Sequence, residues 1–269
     1  MTDPTTANPA LAILDGVLMD AAQAQIPVTD EGLLRGDGVF EVVRLYDGRP
    51  FGLDEHLDRM ARSAASIRLT LDLDELRSDV AAILAEAEPA DGCLRLVVTR
   101  GGRRIGLVEP MKALPDTIEL ATITYSPTRI LDGVKSLSYA ANMLASRLAR
   151  EVGADEALLV SPHGRVLEGP TTSFFYVLGG ALHTPPLADR ILDSITRRVL
   201  FAVTDVQERV TTLDDLRAIE EAFLASSLRE VHPVHAIDGA PVAAAPGPVS
   251  TAAAERVREH IAAELARVG

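Results

Sequence analysis

The chain has 269 residues, 47% hydrophobic and 24% charged, with a formal net charge of −13. That is enough for one large or two modest hydrophobic cores in a water-soluble protein. The acidity argues against nucleic acid or an anionic membrane as partner, and no apolar run reaches the ~18 residues of a membrane span.

The first ten residues, MTDPTTANPA, lack a basic, apolar leader, and a single cysteine, Cys93, allows no internal disulfide. A reducing, cytoplasmic location is therefore expected. Asp15-Gly16, between LAIL and VLM, and Asp47-Gly48, after VFEVVRLY, predict two type I′ hairpins. The glycine-rich RGDGVFEVVR fits neither a Walker loop nor the dinucleotide fingerprint, and Gly36 and Gly38 read as a tight bend entering a strand. A helix is predicted from about Asp54, its N-cap, to Ile67, with Leu57, Met60, Ala64 and Ile67 on one face. Arg59 then falls on the polar side, where Glu55 can pair with it. A second helix is predicted over Leu73–Ala87, with Leu76, Val80, Ile83 and Leu84 inward and Pro89 as its stop. The β-rich runs CLRLVVT and TIELATITY follow. A compact α+β unit is thus expected over residues 1–125, then a linker over 126–130 and a second unit over 131–269.

In the second unit a helix is predicted from about Leu137 to Val152, with Leu137, Ala141, Leu144 and Leu148 on one side. Hairpins are predicted around Ser161-Pro162-His163-Gly164, Gly179-Gly180 and Asp238-Gly239. A helix starts near Ser194, capped by Asp193 or Ser194, and a short one lies near Leu213–Ile219. The strand AFLAS follows it. Residues 240–248, rich in alanine and proline, read as a connector before a terminal helix from about Ser250.

Of the 26 basic residues only Lys112 and Lys135 are lysines. Chemistry that needs a primary amine has just these two candidates, because arginine stays protonated. Lys112 lies in a polar, proline-bounded loop and reads as solvated. Lys135 is flanked by Val134, Leu137 and Tyr139, and such apolar surroundings favour the neutral amine that attacks a carbonyl. Glu168 ends the strand RVL, either as a surface acid or as a carboxylate facing a ring nitrogen. Ser194-Ile195-Thr196 opens a helix whose first N–H groups suit an anion, as any helix start does. Ser226 and Ser227 either donate to a phosphate or cap their strand. The loop TRGGRRIG sets Arg100, Arg103 and Arg104 beside glycines, either to grip a carboxylate by bidentate forks or as a solvated loop. His232 and His235 have no acid or cysteine at ligand spacing, so no metal site is expected.

Three segments in order, DEGLLRGDGVFEVVRLYDGRPFGLDEHLDRM, VKSLSYAANMLASRLAREVGADEALLVSPHGRVLEGPTTSFF and TPPLADRILDSITRRVL, span nearly the whole chain. Together they resemble the class IV, fold-type IV pyridoxal-phosphate aminotransferases. The resemblance implies a small N-terminal α/β domain, a larger β-barrel-like C-terminal domain and a homodimer. It implies pyridoxal 5′-phosphate as cofactor, with Lys135 as the Schiff-base lysine that moves the proton and Glu168 as the acid on the pyridine nitrogen. Arg59 is then the phosphate arginine, aided by Ile195, Thr196, Ser226 and Ser227, and Leu192 packs on the ring. Within the family, EVVRLYDG and EHLDRMARSAASIRL look most like D-amino acid transaminases, with amino acids and 2-oxo acids such as 2-oxoglutarate as substrates. Phe40 stands where those enzymes commonly have tyrosine, and the loop after TRG lacks their Arg-x-His pair, so Arg103 or Arg104 is the expected carboxylate grip. The same loop, with SLSYAANM and LEGPTT, is also similar to aminodeoxychorismate lyases. Branched-chain enzymes share the phenylalanine of VFE, and (R)-amine transaminases belong to the same family.

Overall fold

The computed structural model describes residues 11–268; the reading of MTDPTTANPA lies outside them. The chain forms two compact units, one running to Lys112 and including Val134–Ser138, the other made of Ala113–Gly133 and the chain from Tyr139 onward.

The first unit contains β1 (Leu11–Leu14), β2 (Val17–Asp20), α1 (Glu31–Arg35), β3 (Gly38–Tyr46), β4 (Arg49–Pro50), α2 (Leu53–Ser66), α3 (Leu73–Glu86), β5 (Gly92–Thr99) and β6 (Arg104–Pro110). Its strands pair antiparallel in the order β2-β1-β6-β5-β3-β4. Both early Asp-Gly pairs turn as expected, with φ of 51° and 85° at Asp15-Gly16 and 50° and 75° at Asp47-Gly48. Positive φ at both central residues is what a type I′ turn requires. Along β3 burial alternates, so Val39, Val43 and Leu45 face one way and join Leu94, Leu96 and Val98 of β5. Leu57, Met60 and Ala64 of α2 and Leu76, Val80 and Ile83 of α3 close this core. Two expectations are corrected. Helix α2 is entered through Gly52 in the left-handed region, with no side-chain cap from Asp54. Arg59 lies on the buried face of α2, not its polar side.

The second unit contains β7 (Ile118–Thr124), α4 (Ala140–Glu151), β8 (Glu156–Val160), β9 (Ser173–Leu178), β10 (Ala181–Thr184), α5 (Ile195–Val203), β11 (Gln207–Glu208), β12 (Glu221–Ser226), β13 (Glu230–Ile237), β14 (Ala240–Pro241) and α6 (Pro248–Val268). Its sheet, curled as a half-barrel, runs β11-β10-β9-β12-β13-β7-β8, with β14 on β13. Strand β7, read from sequence as the end of the first unit, lies parallel between β13 and β8. On α4 the buried positions are Ala145, Ser146 and Ala149, while Leu144 and Leu148 are 48% and 37% exposed. The apolar side expected from sequence is the outer one. No helix among the described residues is long and apolar enough to cross a membrane.

Candidate active site

Strand β3 positions the first group of site residues. Its alternation turns Phe40 away from the core and sends Glu41 into it, with the Glu41 side chain at 0% exposure. Helix α2 carries His56 and Arg59 three residues apart on its inward face. Arg59 donates through Nε to Glu41 Oε1 at 2.7 Å and through Nη2 to Oε2 at 2.6 Å. His56 Nδ1 stands 2.7 Å from the same Oε2. Burial pushes the Glu41 carboxyl up, but the hydrogen bonds and charges of Arg59 and His56 outweigh it and hold the group at about 2. Glu41 is therefore a carboxylate, which only accepts, so His56 Nδ1 is the donor.

One helical turn beyond Arg59, Ser63 Oγ accepts a hydrogen bond from the Lys135 amide at 3.1 Å. The segment around Lys135 is extended and lines the edge of β3, and the helix expected from about Leu137 begins at Ala140. Phe40 N–H donates to Lys135 O at 3.1 Å, and Leu137 N–H donates to Gly38 O at 2.9 Å. A Cβ at Gly38 would meet Val98 O at 2.5 Å and Leu137 Cδ1 at 2.6 Å, so this approach requires glycine. Lys135 Nζ comes to rest 4.4 Å from the centre of the Phe40 ring. Phe40 in turn sits opposite Val97 of β5, which is opposite Ile105 of β6, giving the amine an apolar floor.

The arginine loop is less open than its sequence suggests. Arg104 already belongs to β6. Arg100 donates to Asp37 at 2.6 Å and to the carbonyls of Ile67 and Arg68. Arg103 pairs with Asp15 at 2.5 Å, and Arg104 with Asp79 at 2.7 Å and with Glu75. Acids of the first unit thus engage all three guanidinium groups.

In the second unit Glu168 is half-buried, and both its carboxylate oxygens accept from the Leu192 amide, at 3.1 and 3.2 Å. The loop after it is pinned at Pro170 O, which accepts from Tyr139 Oη at 2.6 Å and Asn142 Nδ2 at 2.9 Å. Burial, then the charge of Glu168, raises the pKa of the Tyr125 hydroxyl. Thr172 Oγ1, in the same loop, is buried without a hydrogen-bond partner among the described residues. Ser194, rather than Asp193, caps α5 by accepting from Arg197 N–H at 3.0 Å. Ile195 and Thr196 are the first residues of that helix, and the helix itself cannot satisfy their N–H groups. Ser226 and Ser227 stand at the β12–β13 turn, where Arg229 N–H donates to Ser226 O at 3.2 Å. The Arg229 side chain reaches back to Glu156 at 2.8 Å and lies 3.4 Å from His232 Nδ1.

The first unit thus brings together Lys135, Phe40 and Arg59, and the second carries Glu168 with Leu192, and separately Ile195 with Thr196 and Ser226 with Ser227. Sequence reasoning missed Glu41, His56, Ser63, Tyr139, Asn142 and Thr172. The only signal was the alternation of VFEVVRL, which sets Glu41 in step with Val39 and Val43.

Residues 38–237 match the family model described as amino-transferase class IV. A putative branched-chain-amino-acid aminotransferase of Methanocaldococcus jannaschii is 37% identical over 252 residues, covering 84% of this chain and 87% of its own. A D-alanine aminotransferase of Bacillus licheniformis is 31% identical and covers 95% of this chain and 98% of its own. Among solved structures, a hypothetical aminotransferase from Mycobacterium tuberculosis in a PLP-bound form superposes with a TM-score of 0.85 at 28% identity, covering 95% of this chain and 99% of that one.

Proposed function

We propose that this chain, which belongs to the class IV aminotransferase family, moves an amino group between an amino acid and a 2-oxo acid such as 2-oxoglutarate, with pyridoxal 5′-phosphate bound at Lys135. The observation that carries this reading is the setting of the lysine. Its amine lies over Phe40, and its backbone is held by Ser63, one turn along α2 from the buried Arg59.

The residues present fit the cofactor. Lys135 offers the amine for its carbonyl carbon, and Glu168, steadied by the Leu192 amide, offers an anion for its ring nitrogen. Arg59 offers a fork for its phosphate, as do the first N–H groups of α5 at Ile195 and Thr196, and the hydroxyls of Ser226 and Ser227. The buried Thr172 hydroxyl is a polar atom that a bound ligand would complete. When bound, the cofactor supplies an electron-withdrawing ring that takes up the electron pair of the breaking substrate Cα–H bond. Lys135 Nζ, freed as the neutral amine, would accept the substrate Cα proton. Glu168 would keep the ring nitrogen protonated.

We assign the preferred donor as a D-amino acid with a small apolar side chain. The likeness to the D-alanine enzyme over nearly both whole chains and the Phe40–Val97–Ile105 floor support this. Arg103 or Arg104 then grips the substrate carboxylate only by exchanging Asp15, Asp79 or Glu75 for it. A second reading is a branched-chain L-amino acid, which the M. jannaschii relative supports. A cytoplasmic homodimer belongs to the same proposal and rests on the family likeness.

Mixing D-alanine and 2-oxoglutarate with the holoenzyme should yield pyruvate and glutamate, at least about tenfold faster in kcat/KM than L-valine or L-leucine. The reverse ratio replaces the first reading by the second. Release of 4-aminobenzoate from aminodeoxychorismate, without amino exchange, rejects both. Purified protein that gains no visible absorption with added pyridoxal 5′-phosphate rejects the enzyme itself.

A further inference from the structure

We infer that Glu41 and His56 are positioning residues, holding the Arg59 guanidinium in the one plane from which it binds a phosphate. The inference rests on the reading of Arg59 as the phosphate arginine. It begins with a cost. Glu41 occupies a position that Val39, Val43 and Leu45 fill with hydrocarbon on the same face of β3. An ionised carboxylate there is expensive, and a well-packed apolar side chain is often the more stable choice. Stability alone therefore does not account for it.

The geometry does. A guanidinium has five N–H groups in a rigid fork, and two of them, on Nε and Nη2, close onto the two oxygens of Glu41. That side-on pairing fixes the plane of the fork as well as its place. The carboxylate is steadied in turn, because Oε2 also accepts from His56 Nδ1 at 2.7 Å. His56 and Glu41 both have 0% side-chain exposure, so solvent does not compete for these bonds. Arg59 and His56 share one face of α2, and the next turn of that face holds the lysine backbone through Ser63. One rigid helix thus sets the guanidinium and the lysine backbone along a common axis, with Glu41 fixing the rotation of the guanidinium.

The prediction uses apoenzyme and two ligands, pyridoxal 5′-phosphate and pyridoxal, with affinities taken from spectroscopic titration. The ratio of the two isolates the phosphate grip from ring and lysine contacts. Glu41→Gln has one acceptor where the carboxylate has two, and its amide N–H would face Arg59 Nη2 or His56 Nδ1. It should weaken pyridoxal 5′-phosphate about tenfold, while pyridoxal binding changes little. His56→Asn, which keeps a donor near Nδ1, should retain more of that ratio than His56→Leu. In an Arg59→Lys background, Glu41→Gln should change the ratio no further. If Arg59→Lys alone leaves the ratio intact, the reading of Arg59 as the phosphate group fails. If Arg59→Lys collapses the ratio but Glu41→Gln leaves it unchanged or raises it, this inference fails while that reading stands. Variants that lose thermal stability yet keep the wild-type ratio show a merely structural carboxylate and overturn it equally.

Discussion

Glu41 puts a negative charge into a layer otherwise made of valine and leucine, and the consequence for stability has a definite sign. Its folded pKa, about 2, lies below the ordinary 4.5, so its contribution is fully present above about pH 4.5. That contribution drains away as pH falls from there through 2. The shift corresponds to something on the order of 3 kcal/mol. Urea unfolding of the wild type should therefore lose about that much stability between pH 5 and 2, and Glu41→Gln should lack this part of the acid limb. Parallel acid limbs in the two proteins would contradict the prediction. Among the candidate site residues, Lys135 was proposed from the scarcity of lysine, and Glu168 and Arg59 from a family resemblance. Glu41 was missed, although the alternation of VFEVVRL sets it in step with Val39 and Val43. Its pairing was missed too, because a helix N-cap assigned to Asp54 and a pair assigned to Glu55 turned Arg59 outward.

Elements were most legible where the pattern is local. The Asp-Gly turns, α2, α3 and the hairpin of β9 and β10 formed within a few residues of their expected bounds. Helix α4 shows why periodicity can choose the wrong face. Its leucines are the larger apolar groups, yet its alanines pack against Ala121, Ala157 and Leu159, because only small side chains let the helix lie close to the sheet. Ala149→Leu should accordingly cost about 1–3 kcal/mol by overpacking, measured by chemical denaturation of the whole protein. A neutral result would show that α4 is not closely seated. Strand β7 was assigned to the first unit for a different reason. Its partners β8 and β13 lie far along the chain, and parallel pairing leaves no turn residues to read.

Across the whole molecule, the chain leaves the first unit at Lys112, returns for Val134–Ser138 and leaves again at Tyr139. Composition changes little at these crossings, so a single boundary near residue 125 was the simpler reading. The difference is testable with fragments. Residues 113–269 keep β7 in its sheet, whereas residues 126–269 remove it from between β13 and β8. The longer fragment should unfold cooperatively by circular dichroism and the shorter should not; equal transitions would sink this account of the second unit. The return of Val134–Ser138 also sets an order of events during synthesis. Strands β1 to β6 and the Glu41–Arg59 pair are complete by Pro110, while Lys135 leaves the ribosome later, by roughly one to five seconds at ordinary translation rates. Through that interval the edge of β3 at Gly38–Phe40 lacks its partner, open to a wrong strand. Within the first unit the Lys135 segment is added last, on strands already in place to receive it.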